Sequence, residues 1–134
     1  MATVIFGGFL ILHGLVHLLY FGQSQRLFEL QPGMTWPDGS WAFSQLLGGA
    51  ATRNLAAALL VAAAAGLIAG GAGLLARQDW WRLVAVTAAA LSALTYILLW
   101  DGATRQLDNK GGIGIVISVA ILAVVLLLRW PQVD

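Results

Sequence analysis

Four long apolar runs, separated by shorter polar stretches, dominate the chain. The first extends from residue 1 to residue 25 and the second from Asn54 to Ala76, and two runs of 18 residues follow, Leu83–Trp100 and Gly111–Leu128. A helix rises about 1.5 Å per residue, so 18 residues span about 27 Å of a bilayer core that is about 30 Å thick. The pattern therefore predicts four transmembrane helices, at about residues 3–22, 54–76, 80–100 and 112–130.

The connection between the first two apolar runs is long and has apolar residues of its own. Residues 39–52 are uncharged, but these 14 residues are too few to cross a bilayer. Just before them, the segment Pro37-Asp38-Gly39-Ser40 is typical of a turn. We therefore expect residues 23–52 to form a lid, partly helical and amphipathic, at the membrane interface.

The composition agrees with a membrane protein and excludes several other classes. Hydrophobic residues occupy 60% of the 134 positions, charged residues occupy 10%, and the mean hydropathy is +0.84. These values exclude a soluble globular enzyme and a disordered chain. A net charge of +1 offers no basic surface for nucleic acid, and the lack of cysteine excludes disulfides and thiolate metal sites. We expect one all-α domain over residues 1–134, a four-transmembrane-helix bundle.

Most of the charged residues lie at one end of the predicted bundle. If all four runs cross the membrane, one face carries eight of the charges, namely Arg26, Glu29, Asp38, Arg53, Asp101, Arg105, Asp108 and Lys110. Basic residues are nearly balanced between the two faces, so the positive-inside rule does not fix the orientation. The long tryptophan-rich lid is typical of an exported element, which favours cytoplasmic termini.

Two histidines lie inside the first apolar run. His13 and His17 are four residues apart and Tyr20 is at the next helical step, so all three share one helix face. Ionisable residues at membrane depth mark functional sites by default. The six tryptophans are typical of an interfacial belt. The candidate ligand-binding residues are His13, His17, Tyr20, Tyr96, Asp101, Arg53 and Trp41.

Three uses of the histidines stay open. They can hydrogen-bond Ser, Thr or Tyr on neighbouring helices and fix the packing, or they can bind a quinone-like carbonyl and relay protons. They can also hold a metal, because this spacing places two imidazoles on one side of a helix. The metal would need further ligands, for which Asp101 and Asp108 are available. No catalytic template fits the chain, so we predict no catalytic residue.

The second apolar run is rich in small residues at helical spacing: Ala58, Ala62, Gly66, Gly70 and Gly73. In lipid, such faces let helix backbones approach closely. They serve either packing inside the bundle or association with another chain. A small-residue face left pointing to lipid would favour association.

Several motifs resemble those of known families. His13-Gly14-Leu15-Val16-His17-Leu18 resembles the start of a group of small, largely uncharacterised bacterial four-helix membrane proteins, and Trp80-Trp81-Arg82 and Trp100-Asp101-Gly102 are similar as well. The architecture also resembles DoxX-type proteins, some of which are subunits of membrane quinone oxidoreductases. This resemblance implies a multi-pass protein of the bacterial inner membrane with a redox-linked or subunit role.

Together these features predict a small non-catalytic membrane protein that acts as an accessory or scaffolding subunit. The alternative is a DoxX-like redox-linked protein that binds a quinone, a lipid head group or a metal in a polar pocket at the lid end. The expected partners are membrane lipid and either other membrane subunits or further copies of the chain, with no nucleic acid.

Overall fold

The computed structural model is a bundle of four helices. It describes residues 1–132, without the side chains of residues 108 and 109. Helix α1 spans Ala2–Ser24, α2 spans Ser44–Leu75, α3 spans Trp81–Leu98 and α4 spans Gly112–Leu122. A 3-10 helix, Leu107–Lys110, precedes α4, and a π-helical turn, Ala123–Leu127, extends it. The regular structure in the described residues is entirely helical, as the sequence predicts.

Three of the helices are long and apolar enough to cross a membrane, namely α1, α2 and α3. The fourth apolar helix, Gly112–Leu127, is shorter than 18 residues and ends before the predicted residue 130. It ends because Arg129 has a positive φ of 51° and Pro131 disfavours a helical residue before it. The prediction of an all-helical protein is confirmed, and three of its helices are long and apolar enough to cross a membrane.

The loop between α1 and α2 is shorter than predicted. Residues 44–52, which the sequence assigns to the lid, belong to α2. The charge on Arg53 suggests a boundary, but its guanidinium lies 3.1 Å from the Asp38 carboxylate, so the helix carries this charge without interruption. Gly48, with φ 77°, separates the first turn of α2 from the long helix. The lid, as used below, is residues 25–43.

Glycines bring α2 into close contact with both of its neighbours. A Cβ atom on Gly71 would lie 2.6 Å from the backbone oxygen of Gly7 on α1, and one on Gly66 would lie 2.6 Å from the Cβ of Ala88 on α3. Backbones this close leave no room for a side chain at the crossing. The glycines of the small-residue run therefore serve packing inside the bundle, whereas Ala58 and Ala62 are exposed on its outside.

The apolar core has two parts. One lies at the end away from the lid, around Leu10, Leu67 and Trp81. The other lies beneath the lid, where Trp36 packs with Tyr96 and residues of α2. The residues of the candidate site occupy the second part and the space between the two.

Candidate functional site

Four buried polar side chains meet inside the bundle. Nε2 of His17 lies 2.6 Å from Oγ of Ser92, which lies 2.8 Å from Oγ of Ser118. A longer contact of 3.4 Å joins Ser118 Oγ to Nε2 of His13. None of the four residues is more than 4% exposed. The network therefore ties α1 to α3 and α4 through its two histidines.

The backbone fixes the direction of these hydrogen bonds. Nδ1 of His17 lies 2.8 Å from the carbonyl oxygen of His13, and because a carbonyl can only accept, Nδ1 donates. In the uncharged ring, Nε2 of His17 then accepts from the Ser92 hydroxyl. Ser92 in turn accepts from Ser118, and Ser118 accepts from Nε2–H of His13. Each hydroxyl donates once and accepts once, so both serines are satisfied within the bundle.

Three aromatic rings lie between the histidines and the lid. The ring centroids of Tyr20, Trp36 and Tyr96 are 5.3 to 5.7 Å apart, and the His17 ring is 5.6 Å from that of Tyr96. Trp36 is only 4% exposed. The prediction that the six tryptophans form an interfacial belt is wrong for Trp36, since this side chain is buried inside the bundle.

The side chain of Gln23 forms hydrogen bonds with the backbone of the lid. This buried side chain at the end of α1 donates from Nε2 to the carbonyls of Met34, at 3.0 Å, and Trp36, at 3.4 Å. Its Oε1 accepts from the N–H of Leu30 at 2.9 Å. One amide thereby satisfies three backbone groups of the lid between residues 30 and 36. Nothing in the sequence pattern singles out Gln23 for this role.

Ion pairs and an indole N–H fasten the rest of the lid. Arg26 and Arg53 both pair with the carboxylate of Asp38, Arg26 from within the lid, just after α1, and Arg53 from α2. At the far end of the lid, Nε1 of Trp41 donates to the carbonyl of Ile97 on α3 at 2.8 Å. The lid is thus attached to three helices, and Arg53 and Trp41 act as its fasteners.

A polar cavity of about 70 Å³ lies between the lid and the segment that joins α3 to α4. Its lining comprises Gly33, Met34, Thr35, Trp36, Asp38, Asp101, Gln106 and Lys110. Although Trp36 is buried, its Nε1 has no hydrogen-bond partner among the described residues. A buried donor without an acceptor is unfavourable and calls for an explanation.

Asp101 and Lys110 form the charged wall of this cavity. Nζ of Lys110 lies 3.0 Å from Oδ2 of Asp101, and the backbone N–H of Ala103 donates to Oδ1 at 3.0 Å. Burial alone would raise the pKa of Asp101. The Ala103 N–H and the Lys110 ammonium together lower this pKa by more than burial raises it, so it is below its usual value. The carboxylate is therefore charged at neutral pH.

The seven predicted residues occupy three connected places. His13 and His17 belong to the serine network, Tyr20 and Tyr96 belong to the aromatic cluster, and the remaining three lie at the rim. Of the seven, only Asp101 lines the cavity. Several further residues of the site are absent from the seven predicted ones, namely Gln23, Arg26, Trp36, Asp38, Ser92, Lys110 and Ser118.

The described residues contain no group of three or more His, Cys, Asp or Glu side chains placed to hold a metal ion. Asp108, a predicted further ligand, has its side chain outside the described part of the chain. Both ring nitrogens of His17 are engaged by Ser92 and the His13 carbonyl. Metal binding by the histidines remains a prediction from their spacing alone.

Comparison with known proteins gives no assignment, because no protein-family model, curated protein or solved structure matches the chain. The resemblance to DoxX-type proteins therefore rests on the architecture predicted from the sequence.

Proposed function

We propose that this protein is a small non-catalytic membrane protein that serves as an accessory or scaffolding subunit in the bacterial inner membrane. The observation that carries the proposal is the outward face of α2. Alanines at helical spacing are exposed there, namely Ala51, Ala58, Ala62, Ala65 and Ala72. Such a face lets another helix approach closely in lipid, and the bundle itself leaves it uncovered.

The buried polar groups support a role without bond-making chemistry. The serine hydroxyls and both ring nitrogens of His17 form hydrogen bonds inside the bundle. A nucleophile or general base would need a hydrogen-bonding position open to a substrate. The arrangement instead favours a network that fixes how α1, α3 and α4 pack together.

Association through α2 can be tested with one substitution and a matched control. Ala62→Leu places a larger side chain on the outward face of α2, whereas Ala120→Leu does the same on α4, where Ala120 is also exposed. We expect native-membrane co-purification, or energy transfer between labelled copies in liposomes, to be lost in Ala62→Leu and kept in Ala120→Leu. A wild-type chain that associates with nothing, or two variants that behave alike, would contradict the proposal.

The membrane topology is part of the same proposal: four spans, with both termini in the cytoplasm. Because the chain has no cysteine, single cysteines report sidedness directly. We expect a membrane-impermeant maleimide to label Thr104→Cys in intact spheroplasts, and Gln78→Cys and Gln132→Cys only after permeabilisation. If α4 does not cross, the cysteine at position 132 labels together with that at 104.

A second candidate is a DoxX-like redox-linked protein that binds a quinone, a lipid head group or a metal at the lid end. It is favoured by the continuous run of rings from His17 through Tyr96 to Trp36, which reaches the polar cavity. Purification in mild detergent, followed by absorbance, metal analysis and mass spectrometry of extracted quinones, tests the redox form. A stoichiometric quinone or metal that is lost in His17→Ala would support it and weaken the scaffold proposal.

A further inference from the structure

We propose that the lid end binds one phospholipid whose head group carries a phosphate and a primary ammonium, as in phosphatidylethanolamine. The head group occupies the polar cavity beneath the lid, and an acyl chain lies in an apolar groove beside it. The inference rests on the ligand-binding candidate above for its location, but it requires neither histidine and no redox chemistry.

The first observation is an unpartnered donor that belongs to a residue of the cavity lining. Trp36 lines the cavity and is 4% exposed, and its Nε1 has no acceptor among the described residues. An indole N–H can only donate, so the missing group is an acceptor. Most buried polar groups are paired with protein, water or ligand. Nε1 is itself fully buried, so a phosphate oxygen that enters beside it from the cavity would supply the acceptor.

The second observation is that the lining offers donors and acceptors together. Among the described residues, Lys110 donates to Asp101 and to the Ala103 carbonyl, so the third N–H of its ammonium has no described acceptor and can serve a ligand. The carboxylates of Asp38 and Asp101 each accept two described hydrogen bonds of about four that a carboxylate can take. The carboxylates of Asp38 and Asp101 would repel a purely anionic head group. A trimethylammonium head group has no N–H to donate to them. In a head group with both charges, the phosphate accepts from the N–H donors of the cavity and the primary ammonium donates to its carboxylates.

The third observation is an apolar groove of about 290 Å³ that adjoins the cavity. Lys110 lines both, and the other residues of the groove are Ile97, Trp100, Leu107, Gly112 and Ile115. An occupant of both spaces has a polar end and an apolar end, which is the chemistry of a lipid. The groove runs along the end of α3 and the start of α4, where a chain would enter the bilayer.

Another apolar groove provides a comparison. It lies between α1 and α4, has a volume of about 340 Å³ and is lined by residues that include Phe6, Phe9 and Trp130, with no charged side chain. A lipid chain there has no head-group cavity beside it. We therefore expect selectivity for the head group at the lid end and none in the groove between α1 and α4.

Native mass spectrometry of the whole chain in mild detergent tests the proposal, with phosphatidylethanolamine, phosphatidylcholine and phosphatidylglycerol of identical acyl chains. We expect one phosphatidylethanolamine to bind about tenfold more tightly than the other two lipids. Trp36→Phe keeps an aromatic ring but removes the N–H, and should weaken binding about fivefold, the value of one hydrogen bond. Trp80→Phe, at the opposite end of the bundle, is the matched control and should leave binding unchanged.

Two further variants separate the head group from the chain. Lys110→Met keeps the apolar stem but removes the ammonium, and should lower the selectivity for phosphatidylethanolamine. This variant tests the head-group site independently if Trp36→Phe does not fold. Ile97→Trp fills the groove beside the cavity and should weaken binding, whereas Ala120→Trp, in the groove between α1 and α4, should not. Glycerophosphoethanolamine, which lacks acyl chains, should bind far more weakly than the lipid.

Equal binding of the three lipids, or full binding by folded Trp36→Phe and Lys110→Met, would overturn the proposal. A stoichiometric quinone or metal without lipid selectivity would overturn it while supporting the redox candidate. Lipid selectivity without any quinone or metal would leave the inference standing and remove the redox form. Association through α2 is measured separately and survives either result.

Discussion

Nε2 of His17 lies 2.6 Å from Oγ of Ser92, and both residues are completely buried. This contact joins α1 to α3 in a region where no solvent competes for either group. A hydrogen bond between membrane helices contributes only about 0.6 kcal/mol on average. Removing one member, however, leaves the other buried and unsatisfied, at a cost of about 1–3 kcal/mol. The largest loss of stability is therefore expected when only one of the two residues is replaced.

Ser92→Ala should destabilise the folded protein by about 1–2 kcal/mol, because it leaves Nε2 of His17 without its donor. The change in stability is measured by heating the protein in detergent and monitoring the fraction that stays monodisperse. Thr87→Ala is the matched control on the same helix, since Thr87 is exposed and its hydroxyl donates to the carbonyl of Leu83, one turn away. In the double variant with His17→Ala, the losses should be less than additive, and additive losses would contradict a direct coupling.

Close packing of α1 on α2 predicts a strong position effect among the glycines. Gly71→Ala should destabilise the protein by about 1–3 kcal/mol, because the new Cβ would lie 2.6 Å from the backbone oxygen of Gly7 and would push the helices apart. Gly8→Ala, also in α1, meets nothing within 4 Å and should be neutral or stabilising by up to about 1 kcal/mol. Equal melting temperatures for the two variants would show that the helices do not cross this closely.

The helices were predictable because a bilayer imposes a length and a composition on whatever crosses it. The predicted spans at residues 3–22 and 80–100 lie within two residues of the ends of α1 and α3. The predicted start of α2 at residue 54 lies ten residues after Ser44 and six after Gly48, where the long helix begins, because the charge on Arg53 indicates the edge of the lipid. An arginine that pairs with Asp38 does not interrupt a helix, but this pairing depends on the fold of the lid.

In the candidate site, only the residues that share one face of a single helix could be grouped from the sequence. The four-residue separation places His13 and His17 on one face, and the structure keeps them together. Their partners Ser92 and Ser118 could not be chosen in advance, because the rotation of α3 and α4 is set by packing across the bundle. Trp36 was missed for a similar reason. Its inward position depends on hydrogen bonds from Gln23 to lid carbonyls, which leave no pattern in the sequence.

The shared carboxylate of Asp38 makes the lid sensitive to a single substitution. Asp38→Asn should increase hydrogen exchange and proteolysis of residues 25–43, because it weakens the contacts to Arg26 and Arg53 together. Each partly exposed ion pair contributes only about 0–1 kcal/mol, so the melting temperature should change little. Asp79→Asn, an exposed carboxylate at the other end of the bundle, serves as the control. Global destabilisation by Asp38→Asn, or no change in lid exchange, would contradict this role.

Acid should loosen the segment between α3 and α4 through Asp101. The Ala103 N–H and the Lys110 ammonium hold the pKa of Asp101 below its usual value of 3.8, which burial alone would raise. A lowered folded pKa means that the stabilisation is complete above the usual value and is lost as the pH falls through the folded one. We expect protection of the Ala103 amide to be constant from about pH 7 to about pH 5 and to fall below about pH 4. Asp101→Asn keeps an oxygen for Ala103 but carries no charge, so its protection should be weaker at neutral pH and should not fall further in acid. An identical acid response in this variant would assign the loosening to another group.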